Sequence, residues 1–456
     1  MPATLLVAAG IVVLSWPYTL AAPIGIDESW RAVLHVTGPL DLQFGRDIVF
    51  TYGPLGFLSV PTPILGASSV IAIGATAAAY LALTATLLVL ARRLLPLWAA
   101  AIVVLVTARL YPFLPPFEAL QAGIFVWGVE AILGRGRTAS DAPPDAPADP
   151  AATRSLVRED LIAVGAGILA AVLVTGKLNV GVFGGAMLFV VAVAIGRPWW
   201  RGLLAFAAAT GLSVVVIWLV TGQALANLPA FVVGSVEIVR GYSEAMVVDT
   251  HPTLRWVYAA YAIVVGLLVW IGWLAIRDRD RRTLLAVAVL GAILVFAEWK
   301  TAFTRNFTFF AMTTALVALF PLASRLRSAD RRTVAGTAFA LVFVASLATS
   351  RIDPIDLVDV RDSLRSVAST AASIAPWRLA DSVERTRQEL RADLAITDEL
   401  LDHLRGEAVH VDPWQTIAVF AYPEMRWAPL PIFQSYSAYT TALDEANADR
   451  LRDAEA

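Results

Sequence analysis

"GASSVIAIGATAAAYLALTATLLVLARR", residues 66–93, has no charged side chain before its last two positions. A helix rises about 1.5 Å per residue, so 66–91 is long enough for the roughly 30 Å hydrocarbon core of a bilayer. Arg92-Arg93 then mark the point where the chain meets water. Reading outward from this stretch, similar segments recur on both sides. They predict about eleven spans, near 3–23, 66–91, 94–109, 116–134, 160–176, 180–195, 202–221, 256–276, 283–298, 308–323 and 333–349. The 456 residues are 58% hydrophobic and 16% charged, whereas a soluble domain is about 45–50% apolar and about 25% charged.

The expected fold class is an all-α polytopic membrane bundle of about eleven spans, with a small extracytoplasmic C-terminal α/β segment. Residues 1–349 form the transmembrane domain, with an outer loop at 24–65. Residues 138–152, "TASDAPPDAPADPAA", read as a flexible cytoplasmic linker. Residues 350–456 form the C-terminal domain. Within it, 381–404 has apolar residues at helical spacing, and "QTIAVFA", 415–421, reads as a strand.

Orientation follows the loop arginines, because positive short loops stay cytoplasmic. Arg92-Arg93, the group Arg135, Arg137, Arg154 and Arg158, "RPWWR" at 197–201, "RDRDRR" at 277–282 and "SRLRSADRR" at 324–332 all follow even-numbered spans. The N-terminus is therefore expected in the cytoplasm and the C-terminus outside. The absence of cysteine removes thiol catalysis, Cys-ligated metals and disulfides. A net charge of −2 with no basic run gives no sign of nucleic acid.

The unusual polar residues gather in the outside loops: Asp27, Glu28, Arg46, Asp47, Glu118, Lys177, Asn179, Asp249, His251, Arg255, Glu298, Lys300 and Arg305. Of 35 Lys+Arg residues, only Lys177 and Lys300 are lysine, and both belong to this set. Charges in a membrane protein are costly, so their convergence at one interface points to binding of a polar or anionic headgroup. Each also has a plainer explanation. Asp27 opens "DESW" and suits a helix N-cap. The lysines can snorkel to the interface. Trp30 and Tyr52 suit an aromatic belt. His35 and His251 are isolated, without metal-ligand spacing, and read as structural.

The order of these features resembles the C-type superfamily of glycosyltransferases, polytopic enzymes that use polyprenyl-phosphate-linked sugars. The likeness rests on Asp27-Glu28 after the first span, on "GRDIVFTYGPLG" (Gly45, Asp47, Tyr52, Pro54, Leu55), and on the lysine-bearing loop "GKLNVG" after span five. The tail "PIFQSYSAYT", 431–440, is similar to that of bacterial membrane proteins sharing the "FTYGPLGFL" loop. Where the family often has His-Pro-Pro-Leu, this chain has Tyr-Gly-Pro-Leu. The resemblance implies a multi-pass protein of the bacterial cell membrane. Its donor would be a polyprenyl-phosphate sugar and its acceptor an envelope glycan, lipid or protein. It implies that Asp27 is the base, or a ligand of a divalent metal (Mg or Mn), supported by Glu28. Arg46, Asp47, Tyr52, Lys177, Asn179, Lys300 and Arg305 would bind substrate. A secondary transporter, and a non-catalytic envelope assembly or lipid-binding protein, remain open alternatives.

Overall fold

The apolar stretches fold as helices. In the computed structural model, the residues described are 2–18, 24–62, 66–135, 150–196, 198–246, 254–304, 308–326, 331–350, 357 and 359–455. Asp249, His251, Arg305 and most of the expected linker, 138–149, lie outside them. Eighteen α-helices occur among the described residues. Those of the membrane part are α1 (Pro2–Leu14), α2 (Ile26–Val36), α3 (Ala67–Ala91), α4 (Leu97–Ala108), α5 (Pro116–Arg135), α6 (Pro150–Gly176), α7 (Leu178–Ile195), α8 (Trp199–Val220), α9 (Leu228–Ala245), α10 (Leu254–Ile276), α11 (Arg281–Thr304), α12 (Thr308–Ala323) and α13 (Arg331–Ser350). The C-terminal segment holds α14 (Arg361–Ile374), α15 (Leu379–Leu394), α16 (Asp398–Leu404), α17 (Ile417–Ala421) and α18 (Thr441–Glu455).

Seven of these, α3, α5, α7, α8, α10, α11 and α13, are long and apolar enough to cross a membrane; α1, α4 and α12 are apolar but shorter. Leu212, Val216 and Val220 of α8 and Trp256, Ile263 and Val269 of α10 point outward. Apolar surface on this scale needs lipid against it. The chain is a helical multi-pass membrane protein.

α12 is the central post, buried continuously from Ala311 to Ala323. α6 and α7 form a tight hairpin joined at Lys177. It is tight because a Cβ on Gly181 would stand 2.5 Å from the Val174 Cα, so only glycine admits this approach. Beyond one end of the bundle, α2 is sandwiched. Val33 and Leu34 share a core with Phe44, Ile48, Tyr52, Trp218, Phe231, Trp427 and Phe433. On its other side Ala32 meets Leu390, Ile417, Phe420 and Tyr422.

Four expectations are corrected. The first span, expected to 23, is a helix only to Leu14, and residues 15–18 leave it where Pro17 disfavours helix. Residues 417–421 are helix, not strand, with all five side chains buried. The stretch 381–404 is two helices, interrupted where Ala395 takes a left-handed φ of 50°. The β-structure of the C-terminal segment amounts to Ala408–Val409 paired in parallel with Arg426–Trp427.

Candidate functional site

The loop after α2 is stitched down before it reaches the bundle. Asp47 is buried and accepts from Arg46 Nη2 (2.6 Å), Arg46 Nε at its other oxygen (3.0 Å) and the Gln43 N–H (3.0 Å). Arg450 of α18 adds an ion pair at 3.5 Å. Burial pushes the Asp47 carboxyl up, but these hydrogen bonds and cations outweigh it and hold it below the usual aspartate value. Arg46 and Asp47 therefore lock the loop, with the Arg46 side chain 61% exposed.

Residues 51–55 then pair with the α6–α7 turn. The N–H groups of Gly53 and Leu55 donate to the carbonyls of Gly176 (3.1 Å) and Thr175 (3.0 Å), and Leu178 N–H donates to the Thr51 carbonyl (2.8 Å). A helix leaves its last carbonyls and first N–H groups without internal partners. The loop supplies them at both ends of this hairpin. Pro54 has no N–H and sits between the two donors.

This docking brings Tyr52 over Lys177. The ammonium lies 4.9 Å from the Tyr52 ring centroid and 2.7 Å from Glu118 Oε1 at the start of α5. The ion pair is largely buried, with side chains 18% and 20% exposed. Trp30 stacks on Tyr52 at 4.9 Å, and its Nε1 donates to Asp27 Oδ1 (3.1 Å). Arg31 lies 3.7 Å from Asp27 and 3.4 Å from Glu28, both longer than a close ion pair. The contact chain Asp27–Trp30–Tyr52–Lys177–Glu118 therefore joins α2 to the bundle. Asp27 stands in the first turn of α2, where Gly25 is the N-cap. Capping in the strict sense is not its role. Its charge suits the helix N-terminus, and its side chain is 63% exposed.

Other expected residues stand apart. Asn179 follows Lys177 and keeps a buried Oδ1 without a partner among the described residues. Lys300 is two positions after the buried Glu298 on α11, so it leaves on a different face. Residues not singled out as ligands complete the site. Arg31 is one; its spacing of four from Asp27 was the available signal. Glu298 is another, within electrostatic reach of Glu118. Tyr18 and Tyr80 join through their hydroxyls at 3.0 Å, and Glu118 acts on both. Unpartnered buried polar atoms recur on the neighbouring elements: Trp16 Nε1, Ser29 Oγ, Thr76 Oγ1 and Thr313 Oγ1.

No three His, Asp or Glu side chains among the described residues are grouped to hold a metal ion. Around Asp27 the nearest acid is Glu28, and both turn to Arg31, a donor set that does not fit a divalent cation. Fold and site together define a helical multi-pass membrane protein with a charged, aromatic-roofed side-chain cluster at one end of its bundle. No protein-family model, curated protein or solved structure matches the chain.

Proposed function

We propose that the protein is an integral membrane glycosyltransferase of the C-type kind, in the bacterial cell membrane. It moves a sugar from a polyprenyl-phosphate donor to an envelope glycan, lipid or protein. The chain enters the bilayer about eleven times when α1, α4, α6 and α12 join the seven long helices, α1 and α4 covering only part of its thickness as helix. The N-terminus is cytoplasmic, and the site and residues 350–456 are extracytoplasmic. The observation that carries the reading is Lys177, a largely buried cation at a helix-hairpin apex, roofed by Tyr52 and Trp30, with the unpartnered Asn179 Oδ1 two residues on.

In this reaction the acceptor oxygen bonds to the anomeric carbon as the bond from that carbon to the phosphate oxygen breaks. The acceptor's proton goes to a carboxylate, for which Asp27 is the candidate, with Glu28 beside it. The electron pair leaves with the lipid phosphate, whose charge Lys177 and Arg31 stabilise. Fixed cations aimed at developing charge are usually the largest catalytic contribution. No step runs through a metal.

Asp27→Asn tests the assignment. It keeps shape and removes the base, and an exposed substitution should shift stability by less than about 0.5 kcal/mol. We expect transfer from a polyprenyl-phosphate sugar to be lost while expression and thermal stability match wild type. Full transfer by the variant would remove Asp27 from the chemistry. One observation favours a proton-coupled secondary transporter instead: Glu298 is buried inside the bundle within reach of a second carboxylate.

A further inference from the structure

α1 and α4 are too short for the membrane they sit in. Their 13 and 12 residues give about 20 Å and 18 Å of helix against roughly 30 Å of hydrocarbon. One end of α1 is fixed beside the basic cluster, where Arg92 Nη1 donates to Thr4 Oγ1 (3.2 Å). Its other end, Leu14, therefore stops about 10 Å below the far interface. Something must fill that thickness.

α14 occupies the place. Arg109, the C-cap of α4, donates to the Leu14 carbonyl (2.9 Å) and to Ser363 Oγ (2.6 Å), and also to the carbonyls of Leu357 (3.2 Å) and Asp359 (2.8 Å). Val367 and Ile374 pack on the core of α1, α3 and α4. With Ser363 and Thr370 buried against the bundle, the outward side of the helix carries Arg361, Asp362, Arg365 and Ala372, and beside them Leu364, Ala368 and Ala371 form an apolar stripe at helical spacing. It ends near Trp377, which is 78% exposed. Val13, next to the Leu14 end of α1, is also exposed. Arg361, Asp362, Arg365 and Arg378 flank the stripe, and Arg365 pairs with Asp362 at 3.2 Å.

We propose that α14 and Trp377 form an interfacial helix, lying in the bilayer plane and seated on phospholipid in the leaflet away from Arg92 and Arg93. Its apolar stripe meets acyl chains, Trp377 sits at headgroup level, and the arginines meet lipid phosphates. This surface does not depend on the glycosyltransferase reading.

The chain has no cysteine, so single nitroxide labels can be placed cleanly. Ala368→Cys and Trp377→Cys would be labelled in the full chain and reconstituted into phosphatidylethanolamine/phosphatidylglycerol vesicles. Collision with oxygen would be compared with collision with a water-soluble nickel complex. Val269→Cys on α10 serves as the lipid reference, and Glu389→Cys on α15 as the solvent reference. We expect the oxygen-to-nickel ratio at 368 and 377 to be several-fold above that at 389 and closer to that at 269. Ratios at both positions closer to that at 389 would overturn the proposal.

Discussion

An ionisable side chain taken out of water must either find a partner or give up its charge. Lys177 finds Glu118. His35 gives up its charge. Its ring is 3% exposed, with Ser68 Oγ 2.7 Å from Nδ1 and the Val60 carbonyl 3.1 Å from Nε2. These partners suit a neutral ring with the proton on Nε2. Burial pushes its pKa down to about 4, against a smaller opposing effect of the Val60 bond. The unfolded chain takes up that proton near pH 6.5, so the folded state is fully favoured above this value and loses stability as pH falls toward 4. The whole loss is about 3 kcal/mol, and about 2 kcal/mol has gone by pH 5. Burial lowers His410 as well, so it adds in the same direction. Thermal unfolding at pH 7 and pH 5 should show this drop in wild type and a clearly smaller one in His35→Gln. Equal drops would assign the effect elsewhere.

The loop at 51–55 acts as a cap for the α6–α7 hairpin, and its glycine is there for contact. A Cβ on Gly53 would lie 2.5 Å from the Thr175 carbonyl oxygen. Gly53→Ala should therefore cost about 1–3 kcal/mol and disturb Lys177. Gly74→Ala on α3, where a Cβ meets nothing within 4 Å, should be neutral or stabilising by up to about 1 kcal/mol. Unfolding midpoints of the two variants give the comparison. Much of this level was legible in the sequence. The long charge-free stretches gave seven helices of spanning character, and in "TYGPLG" Pro54, which fixes φ, with Gly53 and Gly56 close by marks a turn. The turn's partner was not legible, because nothing local to Tyr52 points to a hairpin apex at Lys177. The Lys177–Glu118 pair was hidden for the same reason. "IAVFA" misled because a fully buried short run shows no period, so β-branched residues suggested strand. Pro17 did carry the signal that ends α1, within an apolar run that outweighed it.

On the scale of the whole molecule, the bundle has two unlike ends. At one, Glu130 is held by Arg93 and Arg325, each at 2.7 Å, among the basic clusters. At the other lie α2, the Lys177 cluster and the C-terminal segment. The arginine distribution predicts that the second end is extracytoplasmic. Cysteines placed singly at Gln388 and Asp280 should divide accordingly in intact cells. An impermeant thiol reagent should label position 388 and not 280, and the reverse pattern would invert the topology. The most direct test of what the Lys177 cluster does is the lipid that copurifies with the protein. Protein purified in mild detergent should release polyprenyl phosphate, or its sugar-linked form, detectable by mass spectrometry. Lys177→Met/Glu118→Leu removes both charges together and so avoids the roughly 3–5 kcal/mol cost of leaving one buried alone. We predict that the folded double variant carries several-fold less of this lipid than wild type. A wild-type protein free of polyprenyl phosphate, or a folded double variant that retains it fully, would contradict the assignment of Lys177 as the phosphate-binding cation.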